Sequence, residues 1–170
     1  MHSLNTQAKK LLVAEQAYFY RLHPQSMALA KRTNAHFLYG VPMHWMNDWG
    51  TPAPLFVEKA QGAHFMCADG IDYTDFCLGD TGAMFGHSPL AVAQAIAQQA
   101  TQGLTAMLPS TLAHATGEAL ADFFGLPYWQ LATTAMDANR FVLRWVRAIT
   151  KRTKLLVFDG CYHGTVDDTM

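Results

Sequence analysis

The chain has 170 residues, of which 51% are hydrophobic and 15% charged, with a formal net charge of −1. That balance excludes a disordered chain and gives no global electrostatic case for nucleic acid or an acidic membrane. The length suits one domain or part of a larger one. So apolar a composition also calls for a partner surface, or more chain, to cover it.

In chain order, residues 4–33 read as largely helical. Leu11, Ala14, Tyr18 and Leu22 recur at helical spacing, Leu12 and Phe19 widen the stripe, and Pro24 punctuates it before a second segment over Ser26–Thr33. Residues 40–54 form an irregular loop rich in proline and aromatic residues, with His44, Trp45 and Trp49 as either pocket wall or packed core. LFVEKA (55–60), Ala63–Ala68 and Ile71–Phe76 read as a strand pair or meander, with Asp69-Gly70 as a tight turn. Gly79–His87 is glycine-rich but has neither a Walker lysine nor a GxGxxG opening a helix. Ser88 as N-cap and Pro89 at the first position predict a helix running to about Thr101, with a stop at Gly103. A further helix fits Thr111–Phe124 before Gly125. Tyr128–Ala132 is a short strand candidate. Asp137–Thr150 is a helix with Phe141, Val142, Trp145, Val146 and Ile149 on its apolar face, and Lys154–Phe158 reads as a buried parallel strand. Helix, small β-rich segment, then alternating helix and strand point to an α/β layer, with expected divisions at 1–78 and 79–170.

Two turns carry the candidate chemistry. The turn 132–137 leads from an expected strand end into a helix start, where unpaired amides suit a phosphate and Thr133 or Thr134 serves as cap or phosphate contact. The loop Gly160-Cys161-Tyr162-His163-Gly164 follows the last expected strand. Tyr162 suits stacking on a flat ligand, and His163 suits shaping the pocket or assisting proton transfer; the alternative is a turn whose Tyr and His merely pack. His163, Asp167 and Asp168 offer a weak HxxxD metal reading with no further ligands evident. Cys161 is a nucleophile only on the strength of its neighbours, with no orienting group identifiable. Arg21, Arg32 and Arg140 are candidate carboxylate clamps, and the basic residues from Arg140 to Lys154 suit the outer face and C-terminal end of one helix. Cys67, Cys77 and Cys161 show no CxxC spacing, so neither a disulfide framework nor a zinc site is expected. The N-terminus lacks a signal-peptide core, and no apolar run reaches the ~18 residues of a membrane span. A soluble, cytoplasmic protein is expected, with no membrane or nucleic-acid partner.

The runs PLFVEKAQGAHFMCADGIDYTDF, GHSPLAVAQAI and TTAMDANRFVLRWVRAITKRTKLLVFDGCYHG together resemble the N-terminal part of class III aminotransferases. In pattern they are nearest to glutamate-1-semialdehyde aminomutase and its amino-acid aminotransferase cousins. The resemblance covers roughly Pro54 to Asp168. It implies pyridoxal 5'-phosphate as cofactor and the aspartate-aminotransferase type of α/β fold, here an N-terminal segment plus the first part of the large cofactor domain. It also implies amino-acid and keto or aldehyde substrates, and a homodimer when complete. The family's Ser-Gly-Thr-Glu-Ala block falls on Thr134-Ala135-Met136-Asp137-Ala138, which implies that the Ala135 and Met136 amides hold the cofactor phosphate. The Tyr-His-Gly block falls on Tyr162-His163-Gly164, which implies Tyr162 over the pyridine ring. Ala135 stands where glycine is usual, so a positive φ there would be strained. Met136 stands where a threonine hydroxyl usually helps.

The family's Schiff-base lysine and the aspartate for the pyridine nitrogen lie downstream of these blocks. None of Lys9, Lys10, Lys31, Lys59, Lys151 and Lys154 matches that lysine. The expectation is the N-terminal part of an aminotransferase, inactive as this chain alone. The alternatives are an intramolecular aminomutase, and a non-catalytic short paralogue acting as a binding module.

Overall fold

In a computed structural model of the chain, the backbone of residues 2–166 and the side chains of residues 5–166 are described. They form two compact units, which meet at Leu104/Thr105. Within the first unit the Gly79–His87 segment returns to the sheet. Gly62 and His87 exchange both backbone hydrogen bonds, at 2.9 and 2.8 Å.

The first unit begins with helix α1 (His2–Leu22) and helix α2 (Pro24–Thr33). Pro24 separates them as expected, since its ring suits the first turn of a new helix but not the interior of a continuing one. The loop after α2 holds two short 3-10 turns, Leu38–Gly40 and His44–Asn47, with Trp45 and Trp49 edge to face at 6.2 Å. An antiparallel meander follows: β1 (Val57–Gln61), β2 (His64–Cys67) and β3 (Asp72–Thr74), in the order β1-β2-β3. Gly70 closes the second hairpin at φ 77, a left-handed conformation that the expected Asp69-Gly70 turn requires. Helix α3 (Leu90–Ala100) ends this unit. Ser88 does not cap it: Ser88 has φ 50, its hydroxyl donates to the Ala60 carbonyl at 3.2 Å, and Pro89 occupies the cap position.

A polar cluster ties the helical pair to the sheet. His23 is fully buried; Nδ1 donates to the Phe19 carbonyl at 2.7 Å, which leaves Nε2 to accept from the Tyr73 hydroxyl at 2.6 Å. Burial, followed by the nearby Cys67, Asp69 and Tyr18, raises the Tyr73 phenol above its ordinary value. Asp69, from the β2–β3 turn, accepts the Gln25 amide at 2.6 Å, and the Ser26 amide at 3.1 Å and hydroxyl at 2.5 Å. Its carboxylate therefore caps α2 from another element. Burial alone would raise the Asp69 pKa, but these donors, with His23, outweigh it and hold the group below the usual carboxylate range.

The second unit contains helix α4 (Leu112–Phe124), helix α5 (Ala135–Thr150) and irregular segments. Gly125 ends α4 in the left-handed conformation at φ 70, its amide bonded to Ala121. The strands expected over Tyr128–Ala132 and Lys154–Phe158 are not formed. Both stretches run without helix, turn or bend, yet neither has a ladder partner. A parallel strand exists only through its neighbours, and none is present among the described residues. The apolar face of α5 is correspondingly open, with Trp145 73% and Ile149 74% exposed. Among the described residues, no helix is long and apolar enough to cross a membrane.

Replacing Asp69 with alanine removes the cap on α2, and unit 1 should lose about 1–2 kcal/mol at pH 7. Because the folded pKa is depressed, this contribution is present above the unfolded value of about 3.9 and is lost as pH falls through the folded value. Denaturant unfolding of the wild type and Asp69→Ala at pH 7 and again near pH 3 should show a gap that closes on acidification.

Candidate functional site

Helix α5 begins two residues earlier than expected, at Ala135, and Thr134 is its N-cap with φ −135 and ψ 150. The Thr134 hydroxyl accepts the Asp137 amide at 3.1 Å and donates to the Asp137 carboxylate at 2.8 Å. Unlike a capping box, the Asp137 carboxylate takes the Thr134 hydroxyl and not the Thr134 backbone amide. The Thr134 cap satisfies one of the orphan donors of the first turn. The amides of Ala135 and Met136 have no acceptor among the described residues. Ala135 is not at positive φ, so alanine at that position is unstrained.

The loop after residue 160 lies against that same first turn. Asn139 Nδ2 donates to the His163 carbonyl at 3.1 Å, and the Thr165 hydroxyl donates to Met136 Sδ at 3.3 Å. Gly164 has φ +86, and a Cβ there would sit 3.3 Å from Met136 Cγ, so the loop backbone and the helix start are in near contact. The left-handed backbone favours glycine here, and a side chain would also press on Met136. The structure therefore brings the two expected blocks together. Tyr162 is 79% exposed beside this turn, whereas the His163 ring turns into a groove with Asn139, Val142, Leu143 and Leu155–Phe158. His163 Nε2 is buried there without a hydrogen-bond partner.

These features fit a phosphorylated aromatic group. Two unpaired amides at a capped helix N-terminus suit phosphate oxygens, and an exposed phenol ring on a loop pinned to the same turn suits a flat ring. One feature opposes an anion: the Asp137 carboxylate shares the first turn, where it accepts the Thr134 hydroxyl.

Other candidates fall elsewhere. Arg21 lies over the Tyr18 ring at 5.0 Å, a cation–π contact, while Arg32 and Arg140 are exposed. Cys161 is a free, exposed thiol. No group of three metal-ligating side chains occurs among the described residues, and Asp167 and Asp168 lie outside them. Residue type alone did not single out Asn139 or Asp75. Asn139 is recognisable only once the loop is seen to cross the helix. Asp75 accepts the Cys77 and Leu78 amides at 2.8 and 3.0 Å and the His87 Nε2 proton at 2.6 Å, clamping both ends of the glycine-rich loop. The His87 hydrogen bond, then the Leu78 amide, hold the Asp75 carboxyl below its ordinary value.

A family model described as aminotransferase class-III matches residues 45–170. A glutamate-1-semialdehyde 2,1-aminomutase of Sorangium cellulosum is 33% identical over 148 residues, covering 85% of this chain and 33% of that protein. One from Lawsonia intracellularis is 33% identical over 115 residues, covering 67% of this chain and 27% of that protein. The crystal structure of a glutamate-1-semialdehyde-aminomutase from Pseudomonas aeruginosa PAO1 superposes with a TM-score of 0.89 at 49% identity, over 95% of this chain and 36% of that chain. A β-phenylalanine aminotransferase from Variovorax paradoxus, at 22% identity and a TM-score of 0.84, shares the fold. The chain thus spans about a third of the length of the relatives it matches. That fold is the α/β architecture of the pyridoxal-phosphate-dependent aminotransferases, solved in a transaminase with the cofactor bound. With the match running through both the α5 N-terminus and the Tyr162 loop, the chain belongs to the class-III aminotransferase family, whose members depend on pyridoxal phosphate.

Proposed function

We propose that these 170 residues supply the phosphate-binding turn and the ring-stacking loop of an enzyme that moves an amino group between an amino acid and a keto or aldehyde acceptor. The observation that carries this reading is the packing of the Tyr162–Thr165 loop onto the first turn of α5, beside the unpaired amides of Ala135 and Met136. Those amides hold the phosphate of pyridoxal 5'-phosphate, the Thr134 cap fixes their direction, and Tyr162 stacks on the ring. His163 holds the loop in place through its carbonyl and its buried ring. When bound, the cofactor supplies the electron sink for reaction at the amino-acid α-carbon. In the complete enzyme, residues 79–170 are the start of the cofactor domain, residues 1–78 precede it, and two copies associate in solution.

Chemistry at the α-carbon also needs an amine that carries the cofactor and moves protons. Within unit 2 the lysines are Lys151 and Lys154, at and beyond the C-terminal end of α5. The 16-residue length of α5 puts that end roughly 24 Å from the phosphate-binding turn. Neither lysine of unit 2 is placed to serve the site.

A second reading changes only the reaction. The 49% identity to a solved glutamate-1-semialdehyde-aminomutase favours an intramolecular transfer, which needs no separate acceptor. A labelled external amino donor separates the two: a transferase passes label to product, and a mutase does not.

Purified residues 1–170 are expected to show no amino transfer above a mock-purified control. In the complete enzyme, Tyr162→Ala should weaken cofactor binding about fivefold to tenfold, as loss of one aromatic contact of about 1 kcal/mol implies. An unchanged cofactor titration would remove Tyr162 from the site. Thr134→Val should destabilise the start of α5 by about 1 kcal/mol and speed hydrogen exchange at the Asp137 amide.

A further inference from the structure

Helix α5 meets the loop after residue 160 through two side chains, Met136 and Asn139. Three residues apart, they share one face of the helix. Together they hold three consecutive loop residues. Asn139 Nδ2 donates to the His163 carbonyl at 3.1 Å, and Met136 Sδ accepts the Thr165 hydroxyl at 3.3 Å. Gly164 lies between those two bonds, so close that a Cβ there would sit 3.3 Å from Met136 Cγ and 3.4 Å from Met136 Cβ. One contact would leave the loop free to pivot about it. Two contacts from one helix face fix both its position and its direction. Tyr162 directly precedes the held residues. Its ring is 79% exposed, so its placement depends on the backbone beside it and not on packing of the ring. Met136 is used in two ways: its amide has no acceptor among the described residues, whereas its side chain is engaged with the loop. A threonine here, as in the family pattern, would bring a hydroxyl only to the γ position, one bond short of Sδ. The Thr165 bond therefore depends on methionine's longer, unbranched stem.

We propose that the side chains of Met136 and Asn139 are positioning groups: they staple residues 163–165 to α5 and so set where the Tyr162 ring stands beside the phosphate-binding turn. Methionine at position 136 is then more than the loss of a hydroxyl for the phosphate. It exchanges a direct contact with the phosphate for a hold on the loop that carries the stacking ring. Both side chains act through Tyr162, and the inference rests on the reading of the cofactor site given above.

In the complete enzyme, titration with pyridoxal 5'-phosphate is compared for the wild type, Met136→Thr, Tyr162→Ala and the double variant. Met136→Thr, which restores the hydroxyl of the family pattern, should weaken binding, by no more than the roughly fivefold to tenfold expected of Tyr162→Ala. In the Tyr162→Ala background the same change should bring no further loss, because its route to the cofactor is gone. Thr165→Val removes the donor to Sδ without altering α5, and should reproduce the Met136→Thr loss. In residues 1–170, chymotrypsin cleavage after Tyr162 is measured against cleavage after Phe85, which is 95% exposed in the other unit. That ratio should rise by at least about threefold in Met136→Thr and in Asn139→Ala, as the loop is released. Tighter or unchanged binding in Met136→Thr, a loss that persists in full beside Tyr162→Ala, or an unchanged cleavage ratio overturns the proposal. A titration that Tyr162→Ala itself leaves unchanged overturns the cofactor reading and the proposal with it. That outcome is distinct from one in which Tyr162→Ala weakens binding and Met136→Thr does not, which overturns the proposal alone.

Discussion

The first amides of a helix have no acceptor within it, and this chain meets that requirement differently at α2 and at α5. At α2 the sheet provides the answer. Asp69 takes the Gln25 and Ser26 amides together with the Ser26 hydroxyl, so helix and meander are joined by a charge-assisted cap. At α5 the answer is local and incomplete. Thr134 takes only the Asp137 amide, and those of Ala135 and Met136 remain. A satisfied N-terminus is structure. One that is capped in direction but left with donors, as at α5, suits an anion.

The second unit shows what happens when an α/β layer lacks its sheet. Helix α5 has a continuous apolar stripe and a basic opposite face, yet Trp145 and Ile149 on the stripe stand about three-quarters exposed, at 73% and 74%. Burial of such side chains against a neighbouring layer ordinarily contributes about 1.5–3 kcal/mol each. Local signals are enough to form and end the helix here, through the Thr134 cap and the left-handed Lys151. They are not enough to make a strand, because a strand's hydrogen bonds belong to its partner. The same unit thus carries a formed helix, two stretches without a ladder partner among the described residues, and a loop seated on the helix start.

Much of this was legible from residue type and spacing. Pro24, the Asp69-Gly70 turn, Gly125 and the amphipathic period of 137–150 all act within a few residues, and each element they predicted is present. Ser88-Pro89 misled by one position. Ser-Pro is a sound helix opening in isolation, but Ser88 is drawn to the Ala60 carbonyl by the returning loop. The Thr134 and Tyr162 blocks stood out by their place after expected strands and by likeness to a family pattern, whereas Asn139, which joins them, carries no local signature.

Sequence by itself determined the helices, the meander and the family, since these rest on local backbone preferences and on several motifs in order. Tertiary structure alone decided that the Tyr162 loop sits on the first turn of α5, that Asp69 caps a helix 43 residues away from it, and that stretches 128–132 and 154–158 do not pair with each other. The physical reason is the same in each case. A hydrogen bond across a long loop depends on where the intervening chain places its ends, and no residue preference encodes that placement.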